Sequence, residues 1–205
     1  MNQEVFQIIQ SMDLKNLEIQ LALQCAPLLT GLKVSNLLIV PNEHTEHVVK
    51  MFKETEISFF VLSVTIDKTA FLLYRMDELS DYLKGKGVRK LLNMLGYKSY
   101  IFEQVLITFR KKYVRYKKDG LQFPHEMGVL LGYPPEDVFG FITNKGKNFL
   151  YAGYWKVYDN LLEKLSLFAR FDHAKEVVVR LVSYGVGILE IIEIFSNSRL
   201  KKIAV

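Results

Sequence analysis

Apolar residues recur along the chain with two periods, and those periods divide it into elements. Val5, Ile8 and Ile9, then Leu14, Leu17, Leu21 and Ala22, fall at helical spacing, so residues 2–25 read as one or two helices. Ser11 or Asp13 is placed to cap the second helix, Pro27 to stop it, and Gly31 to open a turn. Residues 35–40 are a short apolar strand ended by Pro41. Residues 43–53 return to helical spacing, with Val48, Val49 and Phe52 inward. Residues 57–65 and 69–75 are rich in β-branched and aromatic side chains and are divided by Ile66-Asp67-Lys68, which reads as a hairpin. Their near-continuous apolar character predicts strands covered on both faces. Helices are predicted over 76–84, 88–95 and 100–118, the last with Phe102, Val105, Leu106, Phe109, Tyr113 and Tyr116 on one face.

Residues 123–158 hold an unusual density of Gly, Pro, aromatic and charged residues. Pro124 opens a short helix over 125–131, and Gly132-Tyr133-Pro134-Pro135 is a turn. Pro135, Glu136 and Asp137 suit the first turn of another short helix, where acidic side chains offset the positive end of the dipole. Residues 139–143 are expected as a strand, 144–148 as a polar loop and 149–158 as a second strand. Helices follow from Asp159, broken at Gly185 and Gly187, with a last one over 188–195. The sum is an α+β fold in a single domain over 1–205, with a central, mostly antiparallel sheet of about five strands and helices packed around it.

Composition narrows the class. With 50% hydrophobic residues over 205 positions there is material for one well-packed core. A net charge of +5 only weakly favours an anionic partner, and it argues against nucleic acid, whose binders carry a concentrated basic stripe. The densest run, Arg110, Lys111, Lys112, Arg115, Lys117 and Lys118, lies largely opposite the apolar face of its helix and reads as solvated surface. Cys25 is the one cysteine, which excludes an intramolecular disulfide and any familiar cysteine-based zinc spacing. The start MNQEVFQIIQSMDL lacks the features of a signal peptide, and no apolar stretch approaches a membrane span. A soluble cytoplasmic protein with no membrane partner is expected. Neither a cofactor nor an oligomeric state follows from the sequence.

The stretch PHEMGVLLGYPPEDVFGFITNKGKN followed by GYWKVY, together with QCAPLLTGLKVSNLL near the start and LLYR at the hairpin end, resembles an uncharacterised family of clostridial-type bacteria, the domain of unknown function 3793. The resemblance covers nearly the whole chain and implies one domain. It implies no activity. Many members of that family carry a cysteine where this chain has Ala152, and some carry another near Ala174, so a metal site or thiol pair built on them is not expected here.

Three functional readings stand side by side. The first is a binding or accessory domain for a small anionic ligand. Asn144, Lys145, Lys147 and Asn148 flank Gly146 in a turn whose exposed N–H groups and two lysines suit phosphate or carboxylate, although the Walker spacing is absent. Tyr154, Lys156 and Tyr158 share one face of the following strand, with Trp155 and Val157 on the other, so the ligand is planar if the tyrosines flank it. Lys33 and Glu126 are further candidate contacts. The second reading is a thiol-dependent enzyme with Cys25 as nucleophile and His125 as base, Lys33 or His125 lowering the thiol pKa. A zinc protease is excluded, because Val129 stands where HExxH needs its second histidine. The neighbours Glu136 and Asp137 diverge from one helix start and suit capping better than a shared-proton pair. The third reading is a nucleic-acid or protein interaction module on the helix face around Arg110–Lys118. His44, His47 and His173 show no ligand spacing and read as surface residues.

Overall fold

A strand that alternates two sets of apolar side chains must be covered twice, and one strand here does so along its length. The structure, a computed structural model, describes residues 3–120 and 123–203, with side chains described to residue 197. In β3 (Lys68–Arg75), Phe71 and Leu73 point to one side, while Ala70, Leu72 and Tyr74 point to the other. Its antiparallel neighbours are β1 (Ser35–Pro41) and β2 (Ile57–Val64), in the order β1-β3-β2, with Leu38 opposite Phe71 and Phe60 opposite Leu72. A bulge interrupts the β2 register between Val61 and Ser63.

The first side of this sheet is covered by α1 (Gln3–Ser11), α2 (Leu17–Leu29), α3 (Thr45–Lys53), α9 (Leu161–Ser183) and α10 (Ile188–Ile203). The second is covered by α4 (Met76–Lys84), α5 (Lys86–Met94), α6 (Phe102–Asp119), α7 (Met127–Leu130) and α8 (Pro135–Thr143). A two-stranded hairpin, β4 (Tyr151–Ala152) with β5 (Lys156–Val157), lies apart from the sheet. There Trp155, Val157, Phe168 and Phe171 form a third apolar cluster.

The fold is α+β as expected, but the strands divide into three and two among the described residues. The difference has local causes. Residues 139–143 were expected as a strand and instead complete α8. Pro135 starts that helix, Glu136 and Asp137 complement its dipole, and Val138 and Gly140 turn inward at helical positions. Residues 149–158 do not run straight: Gly153 N–H donates to the Trp155 carbonyl and folds the segment back on itself. Asn16, rather than Ser11 or Asp13, caps α2 by accepting from the Glu18 N–H at 2.8 Å. Pro27 lies inside α2 rather than beyond its end. It removes a single N–H near the end of the helix, its ring is buried, and its carbonyl receives the Leu32 and Lys33 N–H groups.

Buried charges pin the layers. Glu126 is almost wholly buried, meets Lys112 Nζ at 2.9 Å and accepts from Tyr97 Oη at 3.2 Å. Arg75, at the end of β3, pairs with Glu56 and donates to the Leu28 carbonyl.

Gly140 of α8 makes a direct test of how the hairpin seats. Alanine in a helix interior normally gains about 0.5–1 kcal/mol over glycine. Here a Cβ would fall 2.4 Å from Tyr158 Cγ, an overpacking that costs about 1–3 kcal/mol. Gly140→Ala is expected to lower the urea midpoint, and a second change, Tyr158→Ser, to restore part of the loss. A Gly140→Ala chain as stable as the parent would remove this contact from the account.

Candidate functional site

The site grows from one carboxylate. Asp137 sits in the first turn of α8 and is 2% exposed. Its Oδ2 accepts from Trp155 Nε1 at 2.7 Å, and its Oδ1 accepts from the backbone N–H groups of Tyr158 at 2.7 Å and Asp159 at 3.2 Å. Those bonds tie both the turn and the exit of the β4–β5 hairpin to the helix. Its local sequence shows only a dipole role for Asp137, since the residues that return to it lie eighteen to twenty-two positions later.

With the hairpin held, the Tyr133 ring stacks on Trp155 at 4.7 Å between centroids, tilted by 27°. Gly128 lets this pair close on α8, since a Cβ there would meet Val138 Cγ2 at 2.9 Å and Tyr133 Cδ2 at 3.2 Å. Tyr133 and Trp155 form one wall of a half-open cavity of about 260 Å³. Phe123, Val138 and Phe141 complete its apolar lining, and His125, Asp137 and Lys156 are its polar members. The His125 ring stands edge-on to Phe141 at 5.4 Å and lies 6.3 Å from Phe123. Lys156 Nζ donates to the Gly146 carbonyl at 2.7 Å and lies 4.7 Å from the Phe149 ring centroid. Phe123, Tyr133 and Phe141 were not singled out for a site from sequence, where apolar aromatics read first as core.

The predicted site residues separate into groups. His125 and Lys156 meet at the cavity. The 144–148 loop abuts it, with a Cβ on Gly146 falling 3.1 Å from Phe141 Cε2. The loop's N–H groups are turned inward: those of Asn144, Lys145 and Gly146 donate to the Gly140, Ile142 and Phe141 carbonyls and close the C-terminal end of α8. Asn144 Nδ2 also donates to the Gly140 carbonyl, while Lys145, Lys147 and Asn148 face solvent. Lys145, Gly146 and Asn148 all take positive φ to make this turn.

Tyr154 leaves the group, because the hairpin turn breaks the alternation expected of a straight strand. Its Oη donates to Asp172 at 3.0 Å, and its ring packs on Phe168 and Phe171 of α9. Burial and that carboxylate push the Tyr154 phenol upward. Tyr158 packs over Gly140. Glu126 belongs to the buried Lys112–Tyr97 contact rather than to the cavity. Glu136, on the same turn as Asp137, is exposed and pairs with the buried Lys164 at 3.4 Å.

The amino-terminal signature approaches from the other side. Lys33 Nζ lies 5.3 Å from the Tyr133 ring centroid and donates to Asn36 Oδ1 at 3.1 Å. Val34 fills the space beside Gly132, where a Cβ would fall 2.5 Å from its Cγ2. The two motif regions therefore converge at Tyr133. Burial pulls the Lys33 ammonium down to about 8.

Cys25 does not share this position. It is fully buried in the apolar layer of α2, with Asn36 Nδ2 at 3.5 Å from Sγ, and it does not line the cavity that His125 lines. Burial pushes its thiol up to about 12 despite Lys33 and Asn36, the opposite of what a thiolate nucleophile needs.

Residues 21–192 match the family described as "Protein of unknown function (DUF3793)". The chain belongs to this family. The match takes in every residue of the cavity and both motif regions. No curated protein and no solved structure matches the chain. Among the described residues, no group of three or more His, Cys, Asp or Glu could hold a metal ion, and no helix is long and apolar enough to cross a membrane.

Two outcomes follow for the site. Asp137→Ala strands the Trp155 and Tyr158 N–H groups, at about 1–3 kcal/mol for each left buried and unmet. Stability is expected to fall by about 2–6 kcal/mol in urea unfolding, with Trp155 emission shifted to the red before global unfolding. Unchanged emission and stability would deny the carboxylate its role. Native protein is expected to resist iodoacetamide at neutral pH and to label at Cys25 only when denatured. Native labelling as fast as denatured would reverse the assignment of an inert thiol.

Proposed function

We propose that the chain binds a small planar ligand carrying an anionic group, with its ring in the aromatic cavity and its charge toward Lys156. The observation that carries this reading is that the stacked Tyr133–Trp155 pair lines one cavity together with Phe141, His125 and the ammonium-bearing Lys156. Aromatic walls favour a flat apolar body, and a few convergent polar groups orient it. A cavity of about 260 Å³ lies just below the usual range of roughly 300–1,000 Å³ for ligand sites, which fits a body of one or two rings.

The anion is met by side chains rather than by a backbone nest. The Asn144, Lys145 and Gly146 N–H groups are spent on α8 and that of Lys147 on the Asn144 carbonyl, and the negative end of the helix dipole lies there. Lys156 supplies the charge at the cavity, and Lys145 and Lys147 add positive potential from the neighbouring loop.

Calorimetric titration with 2-naphthoate and with neutral 2-naphthamide separates the ring from the charge. Both are expected to bind, the carboxylate more tightly. Lys156→Met is expected to weaken naphthoate about tenfold, or ~1.4 kcal/mol, while leaving the amide within about twofold. Absence of saturable heat from either compound, or equal loss for both in Lys156→Met, would refute the reading.

A further inference from the structure

The overall charge of +5 conceals a strong segregation. The stretch from Lys84 to Lys118 holds eleven of the 27 basic residues and one of the 22 acidic residues, Glu103. It therefore carries +10, while the remainder carries −5. This stretch spans the end of α4, all of α5, the connecting segment and nearly all of α6.

The structure keeps these charges outside and largely unneutralised. Ten of the eleven are exposed. Among the described residues only Lys84, with Asp81, and Lys112, with Glu126, pair with a carboxylate. The helices and their connection form a joined surface: Lys112 Nζ donates to the Leu95 carbonyl at 2.7 Å, and the Arg89 guanidinium lies over the Tyr100 ring at 5.6 Å. Lys111, Arg115 and Lys118 stand at i, i+4 and i+7, a stripe along one side of α6. The other side of α6, with Val105, Leu106, Phe109 and Tyr113, is buried in the core.

We propose that this face binds single-stranded nucleic acid, its phosphates on the Lys111–Arg115–Lys118 stripe of α6 and a base against the exposed Tyr100 ring. Three observations choose this partner. Three of the cations, Lys111, Arg115 and Lys118, line up along one side of α6 within a strongly basic segment, which suits a polyanion. The apolar side of α6 is already used in the core, so the helix has no free apolar face to lay into a lipid surface. An exposed aromatic ring lies among the cations, since Tyr100 is 41% exposed under Arg89. The overall charge of +5, which weighs against nucleic acid, averages this segregation away. The proposal does not rest on the cavity, since Lys111, Arg115 and Lys118 do not line it.

Fluorescence anisotropy with labelled oligo(dT) and oligo(U) of about 15 nucleotides tests it. Three proteins are compared: the parent, a face variant (Lys111→Gln, Arg115→Gln, Lys118→Gln) and a control (Lys50→Gln, Lys53→Gln, Lys68→Gln) with the same loss of charge from exposed positions elsewhere. The parent is expected to bind in about 50 mM salt, with log affinity falling steeply against log salt. In the face variant affinity is expected to fall at least about tenfold and the slope to lessen by about 2, as three lost phosphate contacts require. The control is expected to bind as the parent does. Absent binding, equal loss in both variants, a duplex of the same length bound about tenfold more tightly, or displacement of the oligonucleotide by phosphatidylglycerol vesicles would each overturn the proposal.

Discussion

The Asp137 carboxylate is the contact on which the candidate site depends. A buried carboxylate is tolerated only when its lone pairs are filled, and this one is filled by an indole N–H and two backbone N–H groups. That requirement explains the form of the hairpin. Both strands are two residues long and gain little from pairing with each other. The segment is held by the helix it returns to. Trp155 is thereby held against Tyr133, and both rings line the cavity.

The same logic orders the rest of the molecule. β3, covered on both faces, separates two apolar layers. The segment 33–35 that leads into β1 docks against residues 130–133: Ser35 Oγ donates to the Leu130 carbonyl, Val34 packs on Gly132 and Lys33 lies over Tyr133. The amino-terminal motif thus packs on the segment that carries Tyr133. Its cysteine serves as a small apolar side chain within the core.

Elements governed by local pattern were legible in the sequence. The β2–β3 hairpin, its burial on both faces at β3, the helix over α6 and the break before α10 all follow from periodicity and from glycine. Elements governed by distant partners were not. Residues 139–143 carry strand-like side chains, yet a helix start at Pro135 and the fit of Gly140 against Tyr158 decide their conformation. The face shared by Tyr154, Lys156 and Tyr158 assumed a straight strand, and a turn at Gly153 sends Tyr154 to α9. His125 and Lys156 were found as chemistry-bearing residues. Phe123, Tyr133 and Phe141 were not, because an aromatic side chain carries no mark that separates a cavity wall from a core.

The claim that joins these observations is that the Trp155 wall receives a planar anion. Trp155 is the one tryptophan of the chain, so its indole N–H gives a single side-chain signal in a proton–nitrogen correlation spectrum. On addition of 2-naphthoate, that signal and the backbone amides of Phe141 and Lys156 are predicted to shift together and to saturate at one affinity. An indole signal that stays still while amides elsewhere move, or a spectrum unchanged at millimolar naphthoate, would contradict the account.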